Sequence, residues 1–264
     1  MTPELWAILT LSVYALVGVG IVLRLILRCE ESWQFCLLYL LSRLWTNTIF
    51  GQRITHRCPL PSKGGALLLA NHRSPVDPML ILSSSGFKRD GFQLRVLEFM
   101  TAREYCEAGI IGWLCGVMQS IPVERDGKDM GPAKVALRRL RAGRIVGIFP
   151  EGGINTGPGL QPFNEGVAWL ALRSSVPVYP VFIHNAPQKG TMVTPFHTFC
   201  KTDITWGEPV DLSAWEGQKP TPALLQEVAE FLRQHMAQLG GISLEDTDPK
   251  DASAAGVHPR VIAS

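Results

Sequence analysis

From residue 50 onward, short apolar runs alternate with longer amphipathic ones, and few folds accommodate that rhythm. Period and flanking residues predict strands at 65–70, 95–101, 119–124, 144–149 and 178–183, with helices at 78–84, 103–117, 132–141 and 165–174. A weaker strand at 203–207 and an amphipathic helix at 221–239 follow. Strand and helix taking turns in this way predict an α/β fold, a mostly parallel sheet flanked by helices on both faces.

Residues 66–82 (ALLLANHRSPVDPMLIL) form the clearest unit, reading as a buried strand, a polar turn and a helix opened by Asp77 and Pro78. In open parallel sheets the turns leaving the carboxyl ends of strands line the ligand crevice, which puts His72 at a reactive position. Asp77 lies five residues on, within reach of one imidazole nitrogen while the other faces a substrate, the arrangement of a base and its orienter. The competing reading is structural, with Asp77 as a helix cap and His72 as an ordinary loop residue.

The first 50 residues have a different character. Residues 5–23 carry no charge, and 19 residues at ~1.5 Å each reach about 28 Å, close to a bilayer core of ~30 Å. No Lys or Arg precedes the run and no small-residue cleavage pattern follows, so a membrane helix fits better than a cleaved signal. Arg24 and Arg28 lie beyond it, with Glu4 before it, which predicts a catalytic domain on the cytoplasmic face. Residues 33–50 are apolar but interrupted by Gln34, Ser42, Arg43 and Asn47. Trp33, Tyr39 and Trp45 among the leucines suit a helix at the headgroup level, or one packed on the globular core. The expected organisation is a membrane anchor at 1–28, an amphipathic interfacial helix and linker at 29–58, a catalytic domain at 59–239 and a disordered tail at 240–264.

Charge and cysteine usage narrow the partners. A net charge of +2, with no basic patch interleaved with aromatics, disfavours nucleic acid. The six cysteines include no Cys-x-x-Cys pair, so reduced thiols rather than a zinc site or disulfide scaffold are expected. His and acidic residues do not cluster at ligand spacings, and neither metal nor cofactor is expected.

Three more turns carry candidate chemistry. A strand delivers Arg125 to its carboxyl end, where a guanidinium suits a phosphate or is merely a surface cation. In 148–159 (IFPEGGINTGPG), Glu151 is able to accept from hydroxyls and Gly152 lets backbone approach a ligand, unless the segment is only a flexible turn; no Gly-Lys-Ser or Gly-Lys-Thr follows, so it is not a P-loop. In 176–183 (VPVYPVFI), two prolines predict an edge strand or a crevice wall.

Taken together, the Asn71-His72-x-Ser74-x-x-Asp77-Pro78 turn, Ile121-Pro122-Val123-x-Arg125, Phe149-Pro150-Glu151-Gly152 and Val176-Pro177-Val178-x-Pro180-Val181 resemble, in order and spacing, the four sequence blocks of the glycerolipid acyltransferases, in their 1-acylglycerol-3-phosphate acyltransferase branch. The likeness runs from about residue 66 to 183 and takes in Phe163, Gly166 and Ala168. It implies a membrane-bound enzyme moving a fatty acyl group from acyl-CoA or acyl-carrier protein to a lysophospholipid hydroxyl. It also implies His72 and Asp77 as the catalytic pair, and Arg125, Glu151 and Gly152 as the groups binding a phosphorylated acceptor. Where that family continues with Thr-Arg-Ser, this chain has Gly153, Ile154 and Asn155, so the acceptor side lacks a positive charge and two hydroxyls. Alternatives are a phospholipid transacylase or hydrolase on the same fold, and a non-catalytic membrane scaffold.

Overall fold

The structure, a computed structural model, describes residues 2–28, 31–88, 91–124, 130–188 and 193–244. In chain order its helices and strands are α1 (Pro3–Arg28), α2 (Trp33–Thr48), β1 (Arg53–Thr55), β2 (Ala66–Ala70), α3 (Asp77–Ser85), β3 (Phe87–Lys88), β4 (Gly91–Phe92), β5 (Leu97–Ala102), α4 (Arg103–Cys106), α5 (Gly109–Val117), β6 (Ile121–Val123), α6 (Gly131–Arg141), β7 (Ile145–Ile148), α7 (Glu165–Ser174), β8 (Val178–His184), β9 (Asp203–Trp206) and α8 (Pro222–Gly240). Seven strands make one sheet in the order β1-β9-β8-β2-β7-β5-β6, and β3 with β4 forms a separate hairpin. All pairings in the large sheet are parallel except β8 with β9.

β2 is apolar at every position because it is covered on both sides. Leu67 and Leu69 point into a core completed by Ala136 and Leu140 of α6, Val167 and Leu170 of α7, and Val228, Leu232 and Met236 of α8. Ala66, Leu68 and Ala70 point the other way, against Leu80 and Ile81 of α3, Leu97, Phe99 and Trp206. α8 is set locally: the Thr221 hydroxyl accepts from the Leu224 N–H, Pro222 stands in the first turn, and Gly241 closes the helix at φ +60°. Past that cap Ile242 and Leu244 still pack on the core, and the rest of the expected tail, 245–264, lies outside the described residues.

Several expectations shift. Residues 103–117, expected as one helix, form α4 and α5, separated at Gly109 with φ +42°. The strand with two prolines is not an edge, since β8 lies between β2 and β9. Pro177 precedes it, and Pro180 sits where the β9 ladder ends. There the Gly207 N–H donates to the Pro180 carbonyl at 2.9 Å, and only the reciprocal bond is lost to proline. β1 falls within the stretch expected as interfacial helix and linker, and pairs with β9. Cys58, Cys106, Cys115 and Cys200 are free thiols, whereas Cys36 is disulfide-bonded, contrary to the expectation of reduced cysteines.

α1 contains a stretch, Pro3–Arg24, long and apolar enough to cross a membrane, with none of it buried. α2 packs on the globular core, as one of its two readings expected, and leaves an apolar side uncovered. Phe35 and Tyr39 are buried with Leu82 of α3, while Trp33, Leu37, Leu41, Leu44 and Trp45 are exposed.

Candidate active site

The turn after β2 is held on every side by the chain itself. Asn71, fully buried, continues the sheet with its side chain: its Nδ2 donates to the Ile183 carbonyl at 3.0 Å and its Oδ1 accepts from the Ile183 N–H at 2.7 Å. His72 follows at the carboxyl end of the strand. Its Nδ1 lies 2.9 Å from Asp77 Oδ2, and its ring stacks on Phe149 with centroids 4.1 Å apart and planes 17° from parallel. The His72 side chain is 18% exposed and Asp77 is not exposed at all. A carboxylate facing Nδ1 assigns the proton to that nitrogen. Among the described residues no hydrogen bond engages Nε2, which leaves it to act as a base.

Asp77 does not cap its own helix. Val76 occupies the cap position without a side-chain bond, and Asp77 Oδ2 accepts instead from the backbone N–H groups of Arg73 (2.6 Å) and Ser74 (2.7 Å). The carboxylate thus folds the turn that carries the histidine and contacts the imidazole with the same oxygen. Of the two readings of Asp77, orienter and cap, the geometry matches the orienter.

Glu151 and Gly152, expected at a phosphorylated acceptor, sit directly beneath this turn. Glu151 Oε1 accepts from the His72 N–H at 2.9 Å, and Oε2 accepts from Asn155 Nδ2 at 2.8 Å and the Gln161 N–H at 3.0 Å. Burial pushes its carboxyl above the ordinary value, opposed by these same hydrogen bonds. Gly152 has φ +75°, and a Cβ there would stand 2.7 Å from Asn164 Nδ2, which itself donates to the Pro150 carbonyl. The glycine is therefore required by the turn itself. Arg125 lies outside the described residues, so nothing in the geometry bears on its role.

The segment that departs from the acyltransferase blocks contains a residue with an unexpected task. Asn155 is 5% exposed; its N–H donates to the His72 carbonyl at 2.7 Å, and its side chain also donates to the Gly159 carbonyl. Arg73 Nη1 donates to the Gly157 carbonyl at 2.6 Å, closing the glycine-rich loop over the turn. Asn71, Phe149 and Asn155 were not singled out from sequence as functional, though all three fall within or beside the blocks. Each meets the site through a residue far away in the chain, Asn71 through Ile183, and Phe149 and Asn155 through His72, so local patterning does not expose them.

The N–H groups of residues 72, 73 and 74 all donate to carboxylates, to Glu151 and twice to Asp77. They are not available as an oxyanion hole. Among the described residues no group of three or more His, Cys, Asp or Glu side chains is placed to hold a metal ion. The arrangement suits proton abstraction by an oriented imidazole at the carboxyl end of a parallel sheet.

A family model described as Acyltransferase matches residues 52–184, a range that takes in the whole site. The 1-acyl-sn-glycerol-3-phosphate acyltransferase of Bacillus subtilis is 23% identical over 189 residues, covering 72% of this chain and 88% of that protein. The protein of the same name from Borreliella burgdorferi is 25% identical over 128 residues, and the match spans about half of each, 48%. The crystal structure of a 1-acyl-sn-glycerophosphate (LPA) acyltransferase from Thermotoga maritima shares the fold, with a TM-score of 0.61 at 19% identity over 90% of this chain and 95% of that one.

Proposed function

Because the chain belongs to the Acyltransferase family, we propose that it transfers a fatty acyl group from an acyl thioester, acyl-CoA or acyl-carrier protein, to the free hydroxyl of 1-acylglycerol-3-phosphate or a related lysophospholipid at a membrane surface. The single observation that carries the chemistry is the 2.9 Å contact between His72 Nδ1 and Asp77 Oδ2, with Nε2 left open. The names of the relatives support the phosphorylated acceptor.

In the proposed reaction the acceptor hydroxyl gives its proton to His72 Nε2 as its oxygen attacks the thioester carbonyl carbon. Asp77 holds the tautomer and stabilises the imidazolium that forms. The tetrahedral intermediate collapses with cleavage of the C–S bond. The thiolate leaves and takes the proton back from the imidazolium, so the ester and the free thiol are the products. No acyl-enzyme is formed. The oxyanion draws on donors other than the three N–H groups of the turn, and Arg125 grips the acceptor phosphate.

The membrane part of the proposal rests on α1, whose apolar stretch no part of the protein covers. Arg24 and Arg28 support a catalytic domain on the cytoplasmic face. Protease added from one side of sealed vesicles decides the orientation. The activity is tested with purified full-length protein, acyl-CoA or acyl-carrier protein, and a panel of lysolipids. Diacyl product from a lysophosphatidate is expected. Acyl exchange or release without a thioester donor points instead to a transacylase or hydrolase.

A further inference from the structure

We propose that α5 is a membrane-docking element, whose exposed Ile110, Ile111 and Trp113 insert among the lipids of the bilayer that holds α1. This inference rests on the membrane reading of α1 and not on the chemistry at His72.

The sequence of α5, GIIGWLCGV, contains no charged, amide or hydroxyl side chain, and none of its residues is buried. Ile110 is 76% exposed, Trp113 52% and Ile111 44%. A surface helix in water normally turns a polar face outward, so an all-apolar helix left uncovered signals a missing partner. The orientation is fixed by glycine. A Cβ on Gly112 would stand 2.5 Å from the Cys106 carbonyl oxygen, so α4 packs against that side of α5. Ile110 and Trp113, one helical turn apart, then face away from the protein.

Continuity identifies the partner as lipid. Val117 at the end of α5, and Met118 after it, pack into the same apolar cluster as Phe35, Leu38 and Tyr39 of α2. The opposite side of α2 shows Trp33, Leu37, Leu41 and Leu44 to the outside, and α1 packs on α2 with its apolar stretch wholly uncovered. Apolar surface on α1, α2 and α5 is therefore joined through one cluster, and a bilayer that takes up α1 lies next to α5. Exposed Arg103, Glu104 and Glu107 of the preceding turn mark a charged border, as expected of a helix lying in the interface and not across it. α5 also belongs to the crossover leaving the carboxyl end of β5, the same end of the parallel sheet as His72. Docking there brings the bilayer surface towards the site where a lysolipid reacts.

The test uses full-length protein in phosphatidylcholine and phosphatidylglycerol vesicles, with a photoreactive diazirine side chain at position 110 or 113. Position 16 in α1 is the positive control. Position 238, exposed on α8 and on the other face of the sheet, is the negative one. Labelling of lipid acyl chains from 110 and 113 on the order of ten-fold above that from 238 is expected. Labelling no higher than at 238 overturns the proposal, and so does capture of a second copy of the chain from 110 or 113. This readout needs no turnover, so a protein inactive on lysolipids can still pass it and an active one can fail it. As a second variant, Ile110→Ser with Trp113→Ser raises the KM for a vesicle-borne acceptor about ten-fold and leaves that for a short-chain, water-soluble acceptor unchanged. An equal rise for both acceptors contradicts docking.

Discussion

Glu151 Oε1 accepts a hydrogen bond from the backbone N–H of His72 at 2.9 Å, so this carboxylate holds the main chain of the proposed base. Asn155 closes a ring: its side chain donates to the other Glu151 oxygen and its N–H donates to the His72 carbonyl. The peptide groups on both sides of His72 are thereby fixed by one loop. Asn155→Ala removes the side-chain part of the ring and leaves a buried carboxylate oxygen short of a donor. Unfolding measurements should show a loss of about 1–3 kcal/mol, and kcat should fall on the order of ten-fold as the imidazole is held less tightly. A stability loss with kcat untouched would mean the ring serves packing alone.

Asp77→Asn separates charge from geometry. The amide oxygen is able to accept from the N–H groups of residues 73 and 74 as Oδ2 does now, so the turn should persist and the melting temperature should change little. The stabilisation of the imidazolium is lost, however, and kcat should drop by about 10²-fold or more. Turnover close to wild type would show that Asp77 only folds the turn.

The unit at the centre of the site was legible in sequence because strand, turn and helix are contiguous there. Five fully apolar residues, a polar turn and Asp-Pro mark out Ala66–Ala70, the His72 turn and α3 from local sequence, although distant residues hold the turn in place. Roles that depend on distant pairing were not legible. Arg53–Thr55 is three residues long and becomes a strand only because Asp203–Thr205 lies beside it. The partners of Glu151 were not legible either, because which way its carboxylate turns depends on Asn155, Gln161 and a backbone N–H 79 residues away. Pro180 suggested an edge because proline lacks a donor, yet it sits where that donor would have met the end of a ladder.

An aromatic stack links the sheet to the base. Phe99 lies over Phe149 with centroids 5.2 Å apart, and Phe149 lies over His72. A Cβ on Gly147 would stand 2.5 Å from the Phe99 ring. Gly147→Ala should therefore cost about 1–3 kcal/mol through overpacking and lower kcat by displacing the stack. Paired thermal melts and steady-state kinetics check this; an unchanged kcat in a destabilised protein would disconnect the stack from catalysis.

The raised carboxyl of Glu151 gives a pH signature. With the folded value above the unfolded one, the folded state holds more protons between the two, so stability falls as pH rises through that window and levels off above it. Glu151→Gln abolishes this titration. The stability of wild type relative to Glu151→Gln should be greatest below the ordinary carboxylate range and decline as pH rises through the raised value. Unfolding of both proteins across an acidic pH series measures it, and a difference that grows with pH would contradict the direction.

The most direct measurement is acyl transfer to 1-acylglycerol-3-phosphate by purified full-length wild type and His72→Ala, each with acyl-CoA and with acyl-carrier protein as donor. Wild type should form the diacyl product with at least one donor. His72→Ala, folded by circular dichroism and still bound to vesicles, should form it about 10²- to 10⁴-fold more slowly. A folded His72→Ala protein that turns over at the wild-type rate, or a wild type that acylates no lysophospholipid from either donor, would contradict the account.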